Sequence, residues 1–268
     1  MPNGAPSSAG TVIVIPTYNE AANLPTLVAE LLALSVAGLA ILIVDDNSPD
    51  GTGAVADVLA QRFPGIVAVR HRPEKRGLGR AYVEGFSIAL AQGASYIIQM
   101  DADFSHPPSA IPVMLGEIAE CDVVVGSRYV AGGQLDERWG WWRRFLSWWA
   151  NEVWSRGLLR LRTKDITAGF KCWRRSTLLG IGLQRVASNG YAFQVEMAYL
   201  TERLGYRIRE TPIYFEDRRI GRSKMTVRVK LQGALDVIRI WWRHRGARRI
   251  EPGEADLRIG ADTQVGPN

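Results

Sequence analysis

Tryptophan is missing from the first 138 residues of this 268-residue chain, and cysteine occurs only twice. No uninterrupted apolar run reaches membrane-spanning length. Cys121 and Cys172 sit in apolar or mixed segments without CxxC spacing, so neither a disulfide framework nor a thiolate metal site is encoded. Two buried thiols in a reducing compartment are expected instead. The stretch from Leu24 to Val44 is apolar but for Glu30 and a few small or turn residues. A span needs about 20 apolar residues in one helix. Here Glu30 interrupts the run, Gly38 breaks it, and residues 40–44 read as a buried strand. The first ten residues lack the basic-then-apolar layout of a signal peptide. A soluble or peripheral chain is therefore expected. The full GxGxxG fingerprint and the GxxxxGK[ST] loop are also absent, which argues against a nicotinamide dehydrogenase and a P-loop enzyme. With 47% apolar and 22% charged residues the composition is that of a globular protein.

What is present is unevenly distributed. Residues 1–127 hold 6 Lys/Arg against 13 Asp/Glu, whereas residues 128–250 hold 26 against 10. All nine tryptophans lie in the basic part, and residues 139–160 interleave six of them with Arg143, Arg144, Arg156 and Arg160. Such a half suits a polyanionic partner, either nucleic acid or an anionic membrane surface.

Short β-branched runs alternate with segments of helical periodicity through the first half. Strands are expected at 11–15, 40–44, 66–69, 96–100 and 122–126. Helices are expected at 23–34, 53–62, 79–92 and 108–119. Strand–helix alternation of this kind implies an α/β fold, a mainly parallel sheet with helices on both faces. Ligands then sit beyond the carboxyl ends of the strands, where strand order reverses. After residue 128 the pattern predicts a loop leading to a strand over 165–173, an amphipathic helix at 193–204, a strand at 209–215 and a last helix at 226–245 with a Trp pair and a basic end. A polar, Gly-rich tail expected to be disordered begins at Gly246.

Three acidic or polar clusters follow directly after strands. Asp101-Ala102-Asp103 places two carboxylates one residue apart on a turn, an arrangement that can converge on one Mg²⁺ or Mn²⁺ ion and through it a diphosphate. Asp45 and Asp46 stand at the corresponding edge, where a strand-end carboxylate can meet a base or ribose; ordinary turn chemistry explains them as well. Pro16-Thr17-Tyr18-Asn19-Glu20 offers an aromatic face and a carboxylate. Lys75 to Arg80, before a helix, reads either as a phosphate cradle or as a tight turn capping that helix. Arg218 to Lys224 is a basic loop suited to a phosphate, or simply solvated.

In this order the motifs resemble glycosyltransferase family 2, in particular its dolichol- or polyprenol-phosphate mannose synthases. The resemblance rests on 14–20, 44–52, Arg76-Gly77-Leu78-Gly79, 101–107, Gly126-Ser127-Arg128-Tyr129, Ala168-Gly169-Phe170 and 221–225. It covers about residues 11–245 and implies a single GT-A (Rossmann-like) domain with C-terminal amphipathic interface helices. Residues 11–127 form its nucleotide-sugar half and 128–245 its acceptor- and membrane-facing half, with flexible tails at 1–10 and 246–268. The resemblance implies transfer of mannose from GDP-mannose to a polyprenyl monophosphate. Pro16, Tyr18, Glu20, Val44, Asp46 and Ala102 would line the donor. Asp101, Asp103 and Ser105 would hold Mg²⁺ or Mn²⁺, although some relatives carry Gln at the last position. Arg128, Arg143 and Ser147 would take the acceptor phosphate; Arg218 and Lys224 would meet the donor phosphates. The catalytic group is then Asp101, Asp103, Arg128 and Arg218.

A phosphate monoester is largely ionised at pH 7, its second pKa being about 6. It needs positioning rather than a general base, which fits the lack of an obvious catalytic histidine; His106 reads as structural. A single displacement would invert the anomeric configuration. The Trp/Arg segments would meet the cytoplasmic face of a membrane peripherally, with room for an integral-membrane protein partner. UDP-glucose is the alternative donor. Nucleic-acid binding lacks a recognised motif, and the acidic strand ends oppose it.

Overall fold

The computed structural model describes residues 10–135, 157–216 and 227–251. The first half supplies strands β1 (Thr11–Thr17), β2 (Leu39–Asp45), β3 (Val67–His71), β4 (Tyr96–Gln99) and β5 (Val123–Ser127). Between them run helices α1 (Leu24–Leu32), α2 (Thr52–Arg62), α3 (Leu78–Ala91) and α4 (Ile111–Glu117). The remainder adds β6 (Gln134–Leu135), β7 (Lys171–Arg174), α5 (Arg175–Ile181), α6 (Gly190–Arg203), β8 (Ile208–Pro212), β9 (Tyr214–Phe215) and α7 (Val227–His244).

Seven strands form one sheet in the order β3-β2-β1-β4-β7-β5-β8, and β6 pairs with β9 apart from it. The sheet is parallel except for β7, which runs antiparallel to both β4 and β5. The period-2 alternation of the strands divides the core. Val12 and Val14 face a cluster with Phe86, Trp173 and Met197. Ile13 and Ile15 face the other, with Leu27, Met114 and Phe170. Each such side chain, fully buried, contributes about 1.5–3 kcal/mol relative to exposure.

The ligand crevice begins with Pro16. The Val14 carbonyl accepts the Met100 N–H at 3.3 Å. Two residues on, Pro16 faces the same neighbour and has no N–H to give. The β1–β4 ladder stops at Val14↔Gln99, while β1–β2 continues to Thr17↔Asp45. The strands part where strand order reverses.

Several boundaries differ from expectation. The expected helix over 108–119 is helix α4 flanked by 3₁₀ turns at Pro108–Ala110 and Ile118–Glu120. The strand expected over 209–215 breaks at Ile213, whose N–H bonds the Ser127 carbonyl at 3.1 Å. Helix α6 starts three residues early because the Asn189 side chain accepts the Gly190 N–H. The flexible tail placed at 246–268 begins too soon. Ile250 is buried in the sheet core, and its N–H bonds the Gly180 carbonyl at 3.0 Å. Arg249 anchors the same stretch, with one guanidinium nitrogen 2.7 Å from the Gly205 carbonyl and the group over the Tyr206 ring. One isoleucine and one arginine thus dock a stretch whose composition is polar. Among the described residues, no helix is long and apolar enough to cross a membrane.

Candidate functional site

The turn after β4 is built around its backbone. The Asp101 N–H donates to His106 Nδ1 at 3.0 Å, closing the loop. Burial lowers the His106 pKa despite Asp101 and Asp103 nearby, which keeps that nitrogen an acceptor. The ring stacks on Phe170 at 5.1 Å between centroids. Phe104 takes a left-handed φ of 63°, turning the chain between the two carboxylates and Ser105. Asp101 Oδ1 accepts the Tyr82 hydroxyl at 2.6 Å, while Asp103 Oδ1 accepts the Ser105 hydroxyl at 2.6 Å and its N–H at 3.1 Å. Burial, then the Asp101 charge, raises the Tyr82 pKa well above its ordinary value, so Tyr82 remains a donor.

The turn after β2 is laced to the turn after β1. Asp45 accepts the Thr17 hydroxyl at 3.1 Å and the Ser48 hydroxyl at 2.6 Å. Asp50 accepts the N–H groups of Ala21 and Thr52, and the Glu20 N–H meets Thr52 Oγ1 at 2.9 Å. Glu20 itself accepts from Asn23 at 2.7 Å. Lys75 Nζ lies 3.2 Å from the centroid of the Tyr18 ring. Asp46 is buried and pairs with Arg72, and it also accepts the N–H groups of Arg76 and Gly77. The Gly79 N–H donates to Asn189 Oδ1 at 2.8 Å, a cap delivered from 110 residues away. Of the two readings of residues 75–80, the geometry favours the capping turn: the N–H groups of 76, 77 and 79 all bond protein oxygens. Val44 and Ala102 belong to the two hydrophobic clusters and Pro16 is buried, so the side chains of these three are taken up by the protein interior.

Arg128, just beyond β5, is gripped by a residue the sequence reading left in a loop. Asp165 accepts its N–H at 3.0 Å and its Nε and Nη2 at 2.7 Å each, and Thr167 takes Nη2 at 2.6 Å. Burial would raise the Asp165 pKa; the Arg128 charge and these bonds outweigh it and hold the carboxyl below its ordinary value. Glu210 in turn accepts the Asp165 N–H at 2.9 Å. The Arg128 guanidinium lies 5.0 Å from the Phe215 ring centroid, and the edge-on His106 ring lies 6.1 Å from the same ring. At the far end of this loop Gly169 touches the carboxylate turn. A methyl there would stand 2.9 Å from His106 Cε1 and 3.4 Å from Asp101 Oδ2. One loop, 165–170, therefore holds Arg128 at one end and lies against Asp101 at the other.

Beneath it, Lys171 is fully buried, donating to the Ala168 carbonyl at 2.6 Å and Gln194 at 2.8 Å. Burial lowers its pKa to about 7, against the pull of Asp165 and Asp101. Gln99, Gln194 and Trp173 complete this buried chain. Asp165, Thr167, Tyr82 and Asn189 carried no sequence signal, since each acts on a residue far away in the chain. Arg143, Ser147, Arg218 and Lys224 lie outside the described residues. Among the described residues no three His, Cys, Asp or Glu side chains cluster as a metal cage. Asp101 and Asp103 still suit Mg²⁺, which is commonly held by one or two carboxylates with substrate phosphates and water.

A model of glycosyl transferase family 2 matches residues 12–176. Polyprenol monophosphomannose synthase of Mycolicibacterium smegmatis is 45% identical over 217 residues, 81% of either chain. Undecaprenyl-phosphate mannosyltransferase of Micrococcus luteus is 43% identical over 226 residues, 84% of this chain and 91% of that one. Among solved structures, mannosyl-3-phosphoglycerate synthase of Rubrobacter xylanophilus superposes with a TM-score of 0.61 at 19% identity, over 97% of this chain and 77% of that one. Glucosyl-3-phosphoglycerate synthase of Mycobacterium tuberculosis, bound to Mn²⁺, UDP and its product, gives 0.60 at 18%, over 88% and 80%. At these identities the two superpositions establish the fold alone.

Proposed function

The chain belongs to glycosyltransferase family 2, and from that premise we propose that it transfers one mannose from GDP-mannose to a polyprenyl monophosphate at the cytoplasmic face of a membrane. The names of its two relatives support the acceptor class and the sugar. The observation that carries the reading is the 165–170 loop, which holds a partly exposed arginine by a fully buried carboxylate at one end and lies against the carboxylate turn at the other.

In this reading Asp101 and Asp103, with Ser105 beside them, hold Mg²⁺ or Mn²⁺. The ion, when bound, neutralises charge on the departing nucleoside diphosphate. Tyr82 and His106 fix the orientation of Asp101. Arg128 orients the acceptor phosphate, assisted by Arg143 and Ser147. An ionised phosphate oxygen then attacks the anomeric carbon as the bond from that carbon to the diphosphate breaks, so configuration inverts. No protein base is needed, because the attacking oxygen carries no proton. Orientation and charge stabilisation remain as the protein's work. Tyr18, Glu20 and Asp46, with the backbone of Pro16, Val44 and Ala102, border the nucleotide side. Arg218 and Lys224 meet the diphosphate.

The test incubates the protein with polyprenyl phosphate and radiolabelled GDP-mannose, with Mg²⁺ or with EDTA. Metal-dependent label in a mild-acid-labile lipid is expected, reduced at least about 100-fold in Asp103→Ala. No labelled lipid from folded enzyme, with label appearing from UDP-glucose, would move the assignment to that donor.

A further inference from the structure

A groove of about 880 Å³ opens between residues 159–163, the end of α6, the start of β8 and α7. None of Asp101, Asp103 or Arg128 lines it. Five arginines do: Arg160, Arg162, Arg203, Arg207 and Arg245. Its two carboxylates are engaged by backbone. Glu202 accepts the N–H groups of Arg162 and Thr163, at 2.9 and 2.8 Å, and the Thr163 hydroxyl at 2.6 Å. Glu210 accepts those of Lys164 and Asp165, at 2.8 and 2.9 Å. Five arginines against two carboxylates leave the lining net positive even with Arg207 Nε 3.8 Å from Asp122, and the backbone bonds keep both carboxylates turned to the chain, so an anion is the ligand the groove suits.

The second feature tells which anion. Trp241 lines the groove while 43% exposed, and on the same helix Leu235, Ile238 and Trp242 are exposed as well. Positions 235, 238 and 242 follow helical i, i+3, i+7 spacing, so an apolar stripe runs along α7 to the groove. The Arg245 guanidinium lies 3.6 Å from the Trp242 ring centroid and 5.9 Å from that of Trp241, joining charge to ring at the boundary. A free phosphate would leave the stripe without a role. A phospholipid engages both, its phosphate among arginines and its chains beside tryptophans that prefer the headgroup boundary.

We propose that this groove binds the headgroup phosphate of an anionic phospholipid, while Leu235, Ile238, Trp241 and Trp242 enter the acyl boundary. The site is separate from the acceptor-phosphate position at Arg128. The inference rests on the membrane-surface part of the functional reading and is independent of donor and acceptor identity.

The full chain is floated with phosphatidylcholine vesicles lacking or containing phosphatidylglycerol. Arg160→Gln and Arg207→Gln, both at exposed positions, are tested singly and together, with thermal unfolding as the folding check. Each replacement is expected to weaken binding to the anionic vesicles about five-fold. Binding to phosphatidylcholine alone, and mannose transfer to polyprenyl phosphate in detergent micelles, should be unchanged. Trp242→Ala should weaken vesicle binding without altering micelle transfer. A double arginine variant that binds anionic vesicles like the wild type overturns the proposal. So does competition by inorganic phosphate at concentrations that also saturate the bilayer-free protein, which marks a free-anion site. Loss of micelle transfer together with vesicle binding assigns these residues to the reaction and equally overturns a separate site. Vesicle results as expected from a protein lacking any transfer activity would sustain this site while removing the functional reading.

Discussion

Arg128 enters the site already paired, and that pairing sets what its charge can do. An isolated guanidinium on a loop would sample many rotamers and bring its positive charge to a phosphate only part of the time. Asp165 and Thr167 remove that freedom at the cost of burying a carboxylate, a cost offset because three N–H groups of Arg128 reach it. Asp165→Asn keeps the shape and deletes the charge. If Arg128 meets the acceptor as proposed, the KM for the polyprenyl phosphate should rise at least about ten-fold with the KM for the nucleotide-sugar donor little changed. Breaking a buried pair should also cost about 3 kcal/mol of stability. The pH dependence identifies the cause. The folded Asp165 pKa lies below its ordinary 3.8, so the pair's stabilisation is full above that value and is lost as pH falls through the lower folded one. The stability gap between wild type and variant, measured by urea unfolding, should therefore close below about pH 3.8. A gap that persists in acid would show a packing effect instead. Asp45, Asp101 and Asp103 were legible as turn residues because Ser48, His106 and Ser105, close by in the chain, complete those turns, whereas Asp46 was marked only by its place after β2. Asp165 was not: its partner is 37 residues away.

Elements place these residues by how closely they can approach the sheet. Helix α3, which follows the turn pinned by Asp46, lies against β1 and β2 at Gly85. A methyl at Gly85 would collide with Val14 Cγ1 and stand 3.1 Å from Val44 Cγ2. Both valines are buried and stiff at χ1, so neither can swing aside cheaply. Gly85→Ala thus sets two effects against each other. The helix gains about 1 kcal/mol of propensity, and overpacking costs about 1–3 kcal/mol. The collision should win, giving a net loss of about 1 kcal/mol and a fall in midpoint of about 2–4 °C. An unchanged or raised midpoint would show that α3 can lift from β1 without penalty. The strands and α3 could be read from the chain because β-branched runs and helical periodicity are local signals. Strand β7 was readable only as a strand at the end of a loop. Its antiparallel insertion between β4 and β5 depends on the path of the intervening chain, and its Lys171 and Trp173 find partners in Gln194 and Gln99 that no local pattern announces. The docking of residues 246–251 was missed for the complementary reason: their composition is polar, and the anchoring falls to a few side chains, Ile250 in the core and Arg249 over Tyr206.

At the scale of the whole molecule, the acidic and basic parts of the chain share one sheet. Strands β1 to β5 come from the first part, and β7 and β8 from the second. Because β7 lies between β4 and β5, neither part can close its own sheet. Trp173 on β7 packs against Phe86 of α3, so the core crosses the same divide. Chains of this size often unfold through intermediates, yet here an intermediate with one part folded would expose strand edges along β4 or β5. A single transition is therefore expected. Every tryptophan lies after residue 138, so fluorescence reports from side chains of the basic part, Trp173 among them at its contact with the acidic part. Hydrogen exchange at β1 and β2 amides reads only the acidic part. The two probes should share one denaturant midpoint. Ile250→Ala, near the far end of the chain, should lower that midpoint for both together by about 2 kcal/mol of stability. If β1 and β2 kept their protection while tryptophan emission fell, the parts would be separable units and the interleaved sheet would not govern the stability of the molecule.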